Sequence, residues 1–314
     1  MQSNLSHLDP DMQAVAARTL AAWTHLPQDA ADLGTRLLVK LSPPQWQLEW
    51  YLPRWLGESY ALPPETAQAL VQANVTGLIF VCLQDKLVDE SFPPATLPAA
   101  ICLGAALHQQ WLQQYLPLFE ASAPFWRWFD DYLTQWLHAL AVSNRMPDME
   151  FAALLQAEPG PLAHRAAPLK ICCAAAACLA RRADLVAPLT ATLDHLHVAA
   201  VLLDHAQDWR EDVDAGRYNA FVHFASPARQ TPDQRERSQQ HVYEELFLGS
   251  AGRTYFDHAL RHLAMAQAHA AATACPPLIA YLDWYRTTVL TAQDTLAKSA
   301  RQVVEAAQQL IFGS

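Results

Sequence analysis

The sequence predicts an all-α fold, and three observations support this prediction. The chain has 314 residues, 52% of them hydrophobic and nine of them glycine, so it carries few of the turn signals that a sheet protein of this size needs. Several of its 21 prolines fall in short clusters that indicate breaks between helices. These clusters are Ser42-Pro43-Pro44, Leu62-Pro63-Pro64, Phe92-Pro93-Pro94 and Cys275-Pro276-Pro277. The length suits one large domain over residues 1–314 or two small ones, and we favour one.

Apolar periodicity places the first helices between these breaks. Amphipathic patterns predict helices over residues 12–26 and 30–41, and an aromatic-rich segment follows at 46–55. A long helix is predicted over 66–89, and the chain breaks at 91–98.

The remainder of the chain continues the helical pattern. Helices are predicted over residues 99–116, 124–144, 167–182 and 186–211. Gly216 has the position of a C-cap for the last of these. Residues 230–311 are again helical, with a proline break at 276 and 277.

Charge and cysteine usage exclude several classes of function. The net charge of −10 and the pI near 5.6 give no general attraction to nucleic acid or to an anionic membrane. The six cysteines lie mostly in apolar runs without CxxC pairs, so we expect small core residues in a reducing compartment. Residues 1–10 are polar, which predicts no secretory signal and a cytoplasmic protein. The most apolar stretch, 171–180, is shorter than the ~20 residues that span a bilayer, so we expect no transmembrane segment.

Two acidic clusters lie more than a hundred residues apart. The first contains Asp85 and Asp89, and the second contains Asp204, Asp208 and Asp212. Helical residues four apart lie about 6 Å from each other, so each cluster forms a carboxylate stripe on one helix face. Like charges stacked in this way repel one another, and a nearby cation would explain why the chain tolerates them. Hard oxygen ligands at this density suit Mg²⁺, which is usually shared with substrate phosphates.

The alternative is that both stripes are solvated helix faces, which is the common meaning of an acidic run. Each stripe, however, follows a continuous apolar run, at 77–83 and at 198–203, that is typical of a helix buried on most sides. Carboxylates at the end of a buried helix usually coordinate, pair or catalyse. We therefore interpret both clusters as functional.

Aromatic and histidine residues offer two weaker signals. The aromatic residues of 125–136 are more often core packing than a substrate cage, although such a cage would suit an apolar chain or a carbocation. His258 and His262 have the spacing of a metal pair, but no third ligand is nearby in the sequence. We therefore expect this pair to be surface histidines, and His195 and His197 cannot share a helix face.

The two acidic motifs resemble those of the class I isoprenoid synthase superfamily. Asp85-Lys86-x-x-Asp89 resembles the first aspartate-rich motif of trans-prenyl diphosphate synthases, with Lys86 in place of a second aspartate. Segment 201–208 resembles the second motif, with His205 in place of an aspartate. Segment 170–177 is similar to the lysine-led helix that precedes it. The resemblance implies one large helical bundle with a central apolar cavity.

Two other members of the superfamily remain possible. Asp204, Asp208 and Asp212 have the spacing of the metal triad of bacterial terpene cyclases, although that family normally has Asn, Ser or Thr, and Glu there. Segment 208–217, paired with Asp85 and Asp89, is also similar to the twin DxxxD motifs of squalene and phytoene synthases.

Two departures from the trans-prenyl pattern bear on the reaction. Elongating synthases carry Gly-Lys-Arg near the N-terminus and an arginine pair after the first motif, both for the second diphosphate. Here residues 34–36 are Gly-Thr-Arg, and residues 90–94 contain no arginine. The resemblance therefore implies a Mg²⁺-dependent terpene synthase that ionises an allylic prenyl diphosphate, followed by cyclisation or deprotonation. The alternative is a prenyl diphosphate synthase or prenyltransferase, acting by chain elongation or head-to-head condensation.

The resemblance also implies the ligand set. Asp85 and Asp89 on one wall, with Asp204, Asp208 and Asp212 on the other, would hold several Mg²⁺ ions that grip the substrate diphosphate. All of these except Asp212 are also predicted as catalytic residues.

Cations, a pocket and a partner complete the expected site. The side chains expected to bind the diphosphate are Lys170, Arg217 and Arg182, with Arg286 as a further option. Phe80 and Val81, about one helical turn before Asp85, would line the substrate pocket. The resemblance also implies a homodimer. A non-catalytic helical protein is the remaining alternative, and it predicts no Mg²⁺-dependent thermal shift with diphosphate.

Overall fold

The computed structural model describes residues 5–89, 92–142, 146, 148–156, 160–225, 242–245 and 250–312. At residues 89, 303, 304 and 306–312 it describes the backbone alone. The structure is 79% helical, and none of the described residues forms a strand. The all-α prediction is confirmed.

The helices follow the predicted order. The first six are α1 (Pro10–Ala21), α2 (Gln28–Lys40), α3 (Gln47–Ser59), α4 (Pro64–Asp89), α5 (Leu97–Tyr115) and α6 (Phe125–Val142). There follow α7 (Phe151–Leu154), α8 (Pro161–His164), α9 (Leu169–Leu179), a 3₁₀ turn (Ala183–Leu185), α10 (Val186–Ala215), α11 (Ala220–Ala225), α12 (Ala251–Ala270) and α13 (Pro276–Phe312). Helix α3 occupies the aromatic-rich segment, and the short helices α7, α8 and α11 were not predicted.

Prolines begin several of these helices, as the sequence suggested. Pro10, Pro64, Pro161 and Pro276 are each the first residue of a helix, where a missing N–H costs no hydrogen bond. The side chain of Asp9 caps α1 by accepting a hydrogen bond from the Met12 N–H at 3.0 Å. A break was predicted at residues 276 and 277; it lies at 271–275, and both prolines belong to the first turn of α13.

Contacts divide the chain into two compact units. The first comprises residues 1–140, 166–190 and 272–278, and the second comprises 141–165, 191–271 and 279–314. Each unit draws on segments that are distant in sequence. The expectation of a single domain stays a prediction.

Helix α4 is the centre of the first unit, where it packs against α3, α5 and α9. The buried face of α4 meets a core rich in aromatic rings. Its fully buried large side chains include Trp23, Trp50, Trp111, Trp136, Tyr115, Phe125 and Phe129. Each such side chain stabilises the fold by about 1.5–3 kcal/mol relative to an exposed one. The interpretation of the residues 125–136 as core packing is confirmed for the members named here.

A substitution at Gly77 tests how tightly this aromatic core is packed. A Cβ added at Gly77 would lie 2.5 Å from Cε2 of Trp111, whose ring is held between Phe80 and Phe129. We expect Gly77→Ala to lower the free energy of unfolding by about 1–3 kcal/mol, because the ring must move. The matched control is Gly104→Ala, whose new Cβ would meet the mobile end of the Gln84 side chain; it should be neutral or gain up to about 1 kcal/mol from helix propensity. Urea unfolding of both variants measures the difference, and equal effects would contradict this account.

A buried histidine pair lies in the second unit. Nδ1 of His195 on α10 is 3.0 Å from Nδ1 of His262 on α12, and both side chains are buried. Burial, followed by the charges of His195, His258 and Arg261, lowers the pKa of His262 to about 4. The expectation that His262 is a surface histidine is wrong, because the packing of α12 against α10 encloses it.

The six cysteines are free thiols, and five of them are buried or half-buried. Cys102 on α5 is exposed, so the core assignment is wrong for this residue.

Two helical segments, Pro64–Val88 and Ala183–Ala215, are long and apolar enough to cross a membrane. Two-thirds of the most apolar window of each is buried inside the protein, as is usual for core helices of soluble proteins. The expectation that the chain has no transmembrane segment stays a prediction.

Candidate functional site

The second acidic cluster forms one stripe on the last three turns of α10. Asp204 and Asp208 are exposed, whereas Asp212 is buried. Desolvation raises the pKa of Asp204 to about 6, and the negative charges of Asp208 and Asp212 add to this effect. Desolvation, Asp212 and Glu211 also raise the pKa of Asp208. Because solvent reaches both carboxylates, a cation could bind them and relieve the repulsion.

Asp212 differs from the other two, since both of its oxygens already accept hydrogen bonds. Nε of Arg217 donates to Oδ1 at 2.8 Å, and Nδ2 of Asn219 donates to Oδ2 at 2.8 Å. Arg217 also pairs with Glu211 through Nη2 at 2.8 Å. Arg217 therefore lies beside the cluster with its guanidinium bound to carboxylates, and its role as a diphosphate ligand stays a prediction.

The turn after α10 brings Arg217 to this place. Gly216 has a φ of 70°, a left-handed conformation that glycine adopts at little cost. The Arg217 N–H then reaches back to the Asp212 carbonyl at 2.8 Å, the bond that closes a Schellman motif. The predicted C-cap is confirmed, and α10 extends one turn beyond the predicted end at Glu211.

Asn219 is a structural partner of the cluster that the sequence did not reveal. Its side-chain oxygen accepts from the N–H groups of Phe221 and Val222 at 3.0 and 3.2 Å and so caps α11. Its amide nitrogen donates to Asp212 and to the His205 carbonyl. An asparagine directly before a short apolar run was the available signal.

His205, which replaces an aspartate of the resembled motif, also holds this turn. Its Nδ1 accepts a hydrogen bond from the Ala220 N–H at 2.9 Å. Burial lowers the pKa of His205 to about 4, against the opposing charge of Asp212. The ring is therefore neutral at physiological pH, and it anchors the start of α11.

We expect Asn219→Ala to destabilise the protein by about 2–4 kcal/mol, because it removes a helix cap and a hydrogen bond to a buried carboxylate. Asn219→Ser is the matched variant, since serine still caps a helix but does not replace the amide that donates a hydrogen bond to Asp212. We expect it to lose about half as much stability as Asn219→Ala. Urea unfolding measures both, and a loss below about 1 kcal/mol for alanine would show that the network contributes little.

The first acidic cluster lies at the end of α4, in the other unit. Asp85 is half-buried, and Asp89 is the last residue of the helix, with its side chain outside the described residues. Burial, then the charges of Asp85 and Glu49, raise the pKa of the neighbouring Cys82 thiol, whereas Lys86 and Lys40 lower it. Charges from α2, α3 and α4 therefore meet at this end of the first unit.

Glu49 is a further acid that sequence reasoning missed. It lies on α3, and burial raises its pKa to about 7. A single acid inside the aromatic-rich segment was the available signal.

Lys170 is the predicted diphosphate ligand with the most informative surroundings. Its side chain is 1% exposed, although ammonium groups are seldom buried to this extent. Nζ donates to Oε1 of Gln135 at 2.7 Å and lies 5.0 Å from the centroid of the Tyr132 ring. Lys170 is therefore not a solvated surface lysine. Gln135 and Tyr132 were not predicted, because their spacing alone does not distinguish them from core residues.

Three other predicted site residues are a surface arginine and two core residues. Arg182 is exposed and pairs with Asp184 at 2.9 Å. Phe80 and Val81 are buried, and the Phe80 ring lies 5.3 to 5.9 Å from the rings of His108, Trp111 and Trp136. Phe80 thus belongs to the aromatic core of the first unit.

The predicted ligands therefore fall into two groups. Asp85, Asp89 and Lys170 belong to the first unit, and the α10 stripe with Arg217 belongs to the second. That the two groups face each other stays a prediction. Among the described side chains, no three of the types His, Cys, Asp and Glu converge closely enough to hold a metal ion. The oxygen donors of Asp204 and Asp208, exposed and with raised pKa values, nonetheless fit a hard divalent cation.

In sequence, the chain matches no family model and no curated protein. In structure, it is similar to a geranylgeranyl pyrophosphate synthetase from the archaeon Geoglobus acetivorans, with a TM-score of 0.69 and 15% identity over 87% of this chain and 95% of that one. It is also similar to a geranylgeranyl pyrophosphate synthase from Lactobacillus brevis, with a TM-score of 0.66 and 16% identity over 91% of this chain and 98% of that one. The chain therefore has the helical fold of these two geranylgeranyl pyrophosphate synthases.

Proposed function

We propose that this protein is an enzyme that acts on an allylic prenyl diphosphate and transfers its prenyl group to an acceptor. The exposed pair Asp204 and Asp208 carries this proposal, because it belongs to the segment that resembles the second aspartate-rich motif and has raised pKa values. The similarity to two geranylgeranyl diphosphate synthases favours prenyl transfer over cyclisation.

Each of the candidate residues has a role in this proposal. Asp204 and Asp208, with Asp85 and Asp89, would hold Mg²⁺ ions, and Asp212 would support them. When bound, the metal supplies the Lewis-acid stabilisation that makes diphosphate a competent leaving group. Lys170, already positioned by Gln135, would neutralise charge on the diphosphate oxygens.

The apolar part of the substrate needs a site that excludes water while the allylic cation exists. Phe80 and Val81 precede Asp85 on α4, and the rings packed around Phe80 would form the aromatic wall of this site. Such rings stabilise a cation through their π-faces.

A terpene synthase is the second candidate, and the missing arginines favour it. Elongation requires cations for a second diphosphate, and residues 90–94 supply none. For prenyl transfer, Lys40 and Lys86, whose charges both act on Cys82, would bind the second diphosphate.

The deciding experiment incubates the protein with Mg²⁺ and geranyl, farnesyl or geranylgeranyl diphosphate, each with and without isopentenyl diphosphate, and analyses the products by mass spectrometry. A longer diphosphate that forms only with isopentenyl diphosphate would support chain elongation. A hydrocarbon or alcohol from one allylic substrate would instead identify a terpene synthase, and a product with twice the carbon count would identify head-to-head condensation. If no product forms and diphosphate with Mg²⁺ gives no thermal shift, both candidate functions are wrong.

A further inference from the structure

A cavity of about 580 Å³ lies within the second unit, between α10, α11, α12 and α13. This volume is in the range of ordinary small-molecule sites. Its aromatic lining consists of Trp209, Phe221, Phe256 and Trp284. The carboxylate stripe occupies another side of α10, because Ala206 and Arg210, which line the cavity, are rotated about the helix axis by roughly 200° and 240° from Asp204.

Arg210 is the one charged residue among the described residues that line the cavity. Its Cζ lies 5.3 Å from the ring centroid of Trp209 and 5.7 Å from that of Tyr243. No carboxylate of the described residues forms an ion pair with it. The two rings orient the guanidinium group, so its donors are positioned for an anion before any ligand arrives.

The opposite wall is a row of hydroxyl groups on α13. Thr287, Thr288, Thr291 and Thr295 each donate to the carbonyl four residues earlier, at 2.7 to 3.1 Å. Their hydroxyl hydrogens are therefore already used, and the row offers methyl groups and acceptor oxygens to the cavity. Such a wall suits an apolar chain, whereas an anionic group needs the donors of Arg210.

We propose that this cavity binds an amphipathic anion, a molecule with an apolar chain and one phosphate or carboxylate head. The head group of this molecule contacts Arg210, and its apolar chain lies along the aromatic lining and the row of threonine side chains on α13. This site goes beyond the proposed function and does not depend on it, since none of its lining residues is a predicted ligand of the substrate diphosphate.

Tryptophan fluorescence can test the proposal directly, because Trp209 and Trp284 line the cavity. The probes are dodecyl phosphate, dodecanoate, dodecanol and inorganic phosphate, each below its micelle concentration. We expect both amphipathic anions to change the emission and to bind about ten-fold more tightly than dodecanol, because a charge-assisted hydrogen bond adds to the burial of the chain. Inorganic phosphate alone should not bind in the same range. The stronger of the two anions identifies the head group.

Variants separate this cavity from other sites. Arg210→Gln should weaken binding of the anions about ten-fold and leave dodecanol unchanged, whereas Arg253→Gln, an exposed arginine of the same unit, should bind as the wild type. Ala292→Trp should fill the cavity and abolish binding of all three chains, and Asp204→Asn should retain it. Wild-type affinity in Arg210→Gln, or loss of binding in Asp204→Asn, would overturn the proposal. Loss of prenyl chemistry with binding intact would contradict the proposed function alone.

Discussion

Asp204→Asn is expected to lower the rate of diphosphate release by about a thousand-fold or more. It removes one of the carboxylates proposed to hold the Mg²⁺ ions that would stabilise the leaving diphosphate. The protein should remain folded. The pKa of Asp204 is about 6 in the folded protein, above the ordinary value near 3.9, so folding disfavours the charged form. In metal-free protein this penalty exists above pH 6 and is relieved as the pH falls from 6 towards 4. At pH 7 the neutral asparagine should therefore give an equal or higher Tm.

The measurement is a coupled diphosphate-release assay with a thermal melt of the same sample. Asp214→Asn is the matched control, because Asp214 is an exposed acid of the same helix that lies off the stripe. It should keep more than about half of the activity, as expected of a surface substitution. Wild-type rates in both Asp204→Asn and Asp85→Ala would exclude the proposed chemistry.

Lys170→Met should separate a functional cation from a structural one. Methionine replaces a buried ammonium by an apolar chain of similar length, and so removes the cost of keeping a charge away from water. We expect an unchanged or higher Tm together with a loss of about a hundred-fold or more in kcat/KM for the allylic diphosphate.

Inorganic pyrophosphate with Mg²⁺ provides a readout that needs no turnover. It should raise the Tm of the wild type and of Lys298→Met, an exposed lysine on α13, but not that of Lys170→Met. A destabilised Lys170→Met protein with normal activity would show that Lys170 serves the core and not the substrate.

The helices could be predicted largely because their apolar period is strong. Helix α3 was the main omission: Pro53 lies inside it, and its mixture of tryptophan and charged residues hides the helical period. The short α11 has six residues, which is less than two turns and too few to show a period. Its position depends on the Asn219 cap, which is a local bond, and on the bond from Ala220 to His205, which is a tertiary contact that the sequence does not reveal.

The candidate site could be predicted in part for the same reason. The α10 stripe follows from residue spacing alone, as does the mutual repulsion that adds to desolvation in raising the pKa of Asp204. The engagement of Asp212 by Arg217 and Asn219 depends on the left-handed turn at Gly216. Spacing also could not reveal the burial of Lys170, because that depends on how α9 packs against α3 and α4.

The uneven exposure of the thiols offers a way to study assembly without mutagenesis. Cys102 is the exposed cysteine of the six, and burial raises the pKa values of Cys82, Cys173, Cys178 and Cys275, which keeps their reactive thiolate forms scarce. A maleimide dye should therefore label α5 selectively in the native protein. The exposed side chains of Leu97 and Ile101 share that helix. If a second copy of the chain covers this face, labelling will slow as the protein concentration rises, and the dye will report the affinity of the pair.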